Sequence, residues 1–152
     1  MQYRKGNLGR IFVAKLDHGD DLLAEIECLV TMEHIEAGIF YLIGALKKAS
    51  LVAGPKECTI PPEQLWQQFD DGREILGIGT IFQNQDNHPS IHLHGTLGKG
   101  DKPLTGCIRL ETEVYLVAEL IILELLDTHC IKKMDPISGF HLLGFADQET
   151  KA

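Results

Sequence analysis

The sequence predicts a single α+β domain, a mainly antiparallel sheet with one long amphipathic helix packed on it. Three observations lead there. The 152 residues, 44% of them hydrophobic, suffice for one compact core and hardly for two. One stretch, from Leu22 to His34, carries apolar residues at helical spacing. The remaining apolar segments are short, β-rich and punctuated by Gly, Pro and Asn/Asp turns, an order of elements that suits an α+β architecture.

Ile11 to Leu16 reads as the first strand, after a basic start holding Arg4, Lys5 and Arg10. His18-Gly19-Asp20-Asp21 punctuates the chain. In the helix that follows, Leu22, Leu23, Ile26, Leu29, Val30 and His34 share one face, with Asp21, Glu25 and Glu36 opposite and Gly38 as its end. Acidic residues early in this helix suit its positive N-terminal end. Ile39 to Ile43, closed by Gly44, and Ala49 to Ala53 read as two further strands. Residues 54–72, with Pro55, Pro61 and Pro62, read as an irregular insertion in which Pro62 to Trp66 forms a helical turn or two. Glu74 to Phe82 is a strand whose Gly77 and Gly79 imply bends or close backbone approach. Ser90 to Leu97 and Leu104 to Leu110 form a hairpin about Gly98-Lys99-Gly100-Asp101. For Val114 to Leu126 periodicity leaves strand and helix equally open.

Charge and composition narrow the function. A formal net charge of −8 argues against a surface that tracks a phosphate backbone, because such binding is driven largely by Lys and Arg displacing counterions. With 7% aromatics and one Trp, a stacking platform for single strands is also disfavoured. The start, Gln2-Tyr3-Arg4-Lys5-Gly6-Asn7, has no apolar leader, and Val114 to Leu126 is interrupted by Glu119 and Glu124 and short of a membrane span. Cys28, Cys58, Cys107 and Cys130 are scattered without a C-x-x-C pair, which favours free thiols. The expectation is a cytoplasmic protein without a membrane partner.

The chemistry concentrates in Ile91-His92-Leu93-His94-Gly95. Strand side chains alternate faces, so His92 and His94 point one way while Ile91 and Leu93 point the other. A turn centred between Gly100 and Asp101 sets His94 opposite Cys107 and His92 opposite Arg109, and pairs Leu93 with Ile108, Ile91 with Leu110 and Leu97 with Leu104. The second face is consistently apolar, which supports this register. Two imidazoles and a thiol on one face suit zinc, and three protein ligands leave a position for water or substrate. The competing reading is two polar histidines facing water with Cys107 as a small filler. Glu119 is either a buried, partnered carboxylate or a residue facing a cavity or subunit interface; beside a metal it would be a fourth ligand or general base. Cys28 is expected in the core, His34 in packing at the helix end, and His18 and His88 in exposed loops. His129 and Cys130, being adjacent, are not expected to act together. No Walker or dinucleotide fingerprint is present.

These residues together resemble the PPC (plants and prokaryotes conserved) domain. The resemblance runs from Arg10 to about Leu143 and rests on Gly19-Asp20-Asp21 before a helix, Ile43-Gly44-Ala45, Glu74-Ile75-Leu76 leading to Gly79-Thr80, His92-Leu93-His94, Gly106, Glu119, and Asp135 to Leu143. It implies one PPC-like domain over 1–152, with 10–143 as its core and 144–152 as a tail. It also implies a homotrimer. Family members often carry Gly-Gly-His-Leu where this chain has Thr105-Gly106-Cys107-Ile108, so Cys107 replaces a histidine with another metal-capable side chain. Plant members contact DNA through AT-hooks, and here only Gly9-Arg10 remains of that pattern. The expected function is a stand-alone, trimeric, non-catalytic regulatory protein with a zinc site at His92, His94 and Cys107, partnered by DNA or a DNA-binding protein. The alternative is a zinc enzyme that uses metal-bound water on a small molecule.

Overall fold

A computed structural model of the chain describes residues 1–145. Strand β1 (Asn7–Asp17) leads into helix α1 (Leu22–Met32), and the rest is β: β2 (Ala37–Pro55), β3 (Gln64–Phe69), β4 (Arg73–Asn84), β5 (Pro89–Gly98), β6 (Leu104–Leu126), β7 (Cys130–Met134) and β8 (His141–Phe145). Every strand pairing is antiparallel except β4 with β7. β2 pairs with β6, β6 with β5, β5 with β4, and β4 with β2, so these four close a circuit; β1 and β3 extend it along β6 and β2.

The helix is short, 11 residues, where a long one was expected. Asp21 starts it, its carboxylate accepting from the backbone N–H of Leu23 and Ala24, and buried Thr112 donates its hydroxyl to the same oxygen. It stops well before Gly38. His34 takes a left-handed conformation (φ 54°), its N–H reaching Thr31 O while Ile35 N–H reaches Val30 O, a Schellman close. Leu22, Ile26 and Val30 form the buried stripe. Cys28 and His34 are exposed rather than packed in the core, because they fall off that stripe.

Two long strands replace several short ones. The segments around Ile39–Ile43 and Ala49–Ala53 are one 19-residue strand; Gly44 (φ 132°) lets it bend against Ala118 without breaking. Leu104–Leu110 and Val114–Leu126 are likewise one 23-residue strand, which settles the latter segment as β. Register shifts against β2, with left-handed Glu111 and Leu116, absorb its curvature. The expected irregular insertion at 54–72 contains β3, and Gln64–Trp66 is strand rather than helical turn, because β2 offers an edge from Ala49 to Pro55 for it to pair with. The C-terminal segment forms the β7–β8 hairpin; of the 144–152 tail, residues 146–152 lie outside the described residues.

Register explains the core. Phe12, Ile122, Phe40, Gly79, Leu93 and Ile108 stand successively opposite one another across the strands and face inward with the helix stripe. Gly79 is where Phe40 needs room, since a Cβ there would overlap the ring. The next row, Val13, Ile121, Tyr41, Ile78 and His94, faces outward. Among the described residues no helix is long and apolar enough to cross a membrane.

Candidate metal centre

The β5–β6 ladder has the expected register from Leu93/Ile108 to Leu97/Leu104 and places His94 directly opposite Cys107. Its continuation to His92/Arg109 and Ile91/Leu110 is not made, because β6 bends there and Leu110 pairs with Ser50 of β2. Gly106 allows this crossing: a Cβ on it would collide with the Val52 carbonyl, so only glycine lets β2 close over β6 and bury Cys107.

The ligand atoms of His92, His94 and Cys107 lie within 4.8 Å of one another, the only such group of three among the described residues. The two Nε2 atoms are 3.1 Å apart, with the rings nearly perpendicular at 80°. Two nitrogens each about 2.0 Å from a tetrahedral zinc stand about 3.3 Å apart, so the pair fits one ion. Sulfur and nitrogen around zinc stand about 3.6 Å apart, which a shift of about 1 Å at Cys107 supplies. The donor set therefore fits a borderline-to-soft divalent cation.

Electrostatics prepare the ligands unevenly. Partial burial, then the neighbouring His94, Lys132 and Arg109, bring the His92 pKa down to about 4, so its imidazole is neutral and free to ligate near neutrality. Burial raises the Cys107 thiol above its ordinary value, although Arg109 and Lys132 pull the other way. Metal uptake would thus release the Cys107 proton. Lys132, buried beside this cluster, is held below the usual lysine range by desolvation and then by Arg109.

Glu119 does not join its own chain's cluster. It is exposed, opposite Lys15 and Ile43, twelve residues along β6 from Cys107. The second acid of that run, Glu124, is the buried, partnered one: Arg10 donates to both its carboxylate oxygens at 2.9 Å. His18 and His88 are exposed as expected; His18 accepts from Leu116 N–H. Among the described residues His129 and Cys130 join no ligand group. Sequence reasoning assigned no role to Lys132, Ser90 or His141, which line a cavity beside His92 together with Arg109. The proximity of Lys132 and His141 depends on the parallel β4–β7 pairing, which no local pattern announces.

The sequence profile of the Plants and Prokaryotes Conserved domain (PCC, or PPC) matches residues 3–126. The chain belongs to the PPC domain family. The match ends before Asp135 to Leu143, so that part of the resemblance lies beyond it. No functionally curated protein matches. Among solved structures, a metal-containing protein of Archaeoglobus fulgidus superposes with a TM-score of 0.82 at 24% identity, covering 97% of this chain and all (100%) of that one. A plant- and prokaryote-conserved (PPC) protein of Pyrococcus horikoshii gives 0.82 at 26% identity over 97% and 100% of the two chains. A protein of Ralstonia eutropha, provisionally described as DNA-binding, gives 0.73 at 24% identity over 88% and 90%. The PPC domain here thus carries the fold of its relatives with a His-His-Cys cluster on its outer face.

Proposed function

We propose that this PPC-domain chain is a homotrimeric, zinc-carrying interaction protein, non-catalytic, that associates with DNA through a DNA-binding partner. The observation that carries the reading is the convergence of His92, His94 and Cys107 within 4.8 Å on one sheet face. The Archaeoglobus relative being metal-containing supports it. When bound, zinc would hold Cys107 as thiolate and tie β5 to β6 at the point where β2 crosses them.

Support for assembly comes from the same face. Val13 is 79% exposed and Ile78 51%, and with Tyr41 and Ile121 they form the outward row that ends at His94. Apolar surface this continuous marks an interaction site, and a further copy of the chain is the occupant we assign. The Ralstonia relative's description supports an association with DNA. A charge of −8, tripled in the trimer, favours a bridging partner over direct phosphate contact.

A cobalt(II) titration tests the ligand set. Thiolate-to-cobalt charge-transfer absorption is expected in the wild type and not in Cys107→Ser; its absence from the wild type would remove Cys107 from the site. Light scattering is expected to give three times the 16.9 kDa chain mass, and a monomer would overturn the trimer. One observation favours a second reading, a zinc enzyme acting through metal-bound water: a cavity opens directly beside His92, and three protein ligands leave a coordination position.

A further inference from the structure

Beside His92 the surface opens into a cavity of about 320 Å³, whose polar lining is Ser90, His92, Arg109, Lys132 and His141. Arg109 and Lys132 are its basic residues, and among the described residues no carboxylate lines it. Lys132 is 8% exposed and makes no ion pair among the described residues, nor does Arg109. Asp135, the acid of the β7–β8 turn, is already engaged, accepting from Ser138 N–H at 2.8 Å and Ser138 Oγ at 2.5 Å.

An ammonium partly withdrawn from water without a counter-charge is costly, and a guanidinium beside it adds repulsion. Such a pair persists where an anion completes it, and Arg with Lys around a small hollow is a receptor for oxyanions. We propose that this cavity is an anion-binding subsite that receives the phosphoryl or carboxylate group of a small molecule between Arg109 and Lys132. Ser90 and His141 line it as further polar groups. Its volume sits at the lower end of small-molecule pockets, which suits a small ligand. The anion's position next to an ion at His92 rests on the zinc reading above; the receptor itself does not. A zinc ion balanced by one thiolate would keep net positive charge and strengthen the same preference.

Inorganic phosphate and malonate, titrated separately by calorimetry into the full chain at low ionic strength, test this before and after dialysis against a chelator. Saturable binding by at least one of them is expected in both states. The better ligand tells a phosphoryl from a carboxylate source. Lys132→Met and Arg109→Gln are each expected to weaken binding about tenfold or more. Lys132→Met keeps the length of the side chain while removing its charge; should it fail to fold, the exposed Arg109→Gln decides. No saturable binding in either state, or both variants binding like wild type, would overturn the subsite. Anion binding by protein that takes up no zinc would sustain the subsite and sink the metal reading. Binding seen only with zinc and indifferent to both variants would do the reverse.

Discussion

Across the β5–β6 ladder His94 stands opposite Cys107, and two residues along β5 the Nε2 of His92 comes to 3.1 Å from that of His94. On the proposed reading all three side chains serve one zinc ion. Replacing His94 with Ala, or Cys107 with Ser, should weaken zinc about a hundredfold, measured by competition with a chromophoric chelator. Cys107→His, which supplies another metal-capable side chain, should retain binding. Wild-type affinity in His94→Ala would dismantle the site.

Acid should destabilise the metal-free protein in a window set by His92. Unfolded, this imidazole takes up a proton near pH 6.5; folded, it resists until about 4. The unfolded state therefore binds more protons across that interval, and stability falls as pH drops through it. Denaturant midpoints at several pH values should show this slope, and His92→Gln should flatten it. Equal slopes in the two proteins would refute the assignment.

Arg10 and Glu124 fasten β1 to β6. Hydrogen bonds from the Arg10 side chain, followed by one from its backbone N–H, hold the Glu124 carboxyl below its ordinary range. A depressed carboxylate contributes stability above its unfolded pKa and loses it as pH falls through the folded one. Glu124→Gln should lower the Tm by roughly 3–6 °C near neutrality, with the difference shrinking in acid. An unchanged Tm would show the pair to be without structural weight.

Gly79 should tolerate no side chain. A Cβ on it would overlap the fully buried Phe40 ring, so Gly79→Ala is expected to cost about 1–3 kcal/mol by chemical denaturation. The paired change Phe40→Leu with Gly79→Ala should recover part of that loss. A neutral Gly79→Ala would mean that Phe40 repacks freely.

Much of this was legible where the signal was local. Alternation through Ile91 to Gly95 and the turn at Gly100-Asp101 specify the register that unites His94 with Cys107. Gly77 and Gly79 read as bends or close backbone approach, whereas Gly79 makes room for the Phe40 ring; Asp21 marks the helix start. The failures are long-range. Continuity of β2 through Gly44 and of β6 through Glu111 depends on partners dozens of residues away, and the helix ends at His34 because Ile35 joins the core. Glu119 and Glu124 are indistinguishable as interruptions of an apolar run; only Arg10, across β1, tells which is buried. Lys132 reaches the cavity beside His92 through a pairing of two strands separated by most of the C-terminal half.

The most direct test is the zinc content of protein purified without a histidine tag after growth with added zinc. About one equivalent per chain is expected, falling to background in the doubly substituted His92→Ala, His94→Ala protein. Less than roughly a tenth of an equivalent in the wild type would contradict the zinc site.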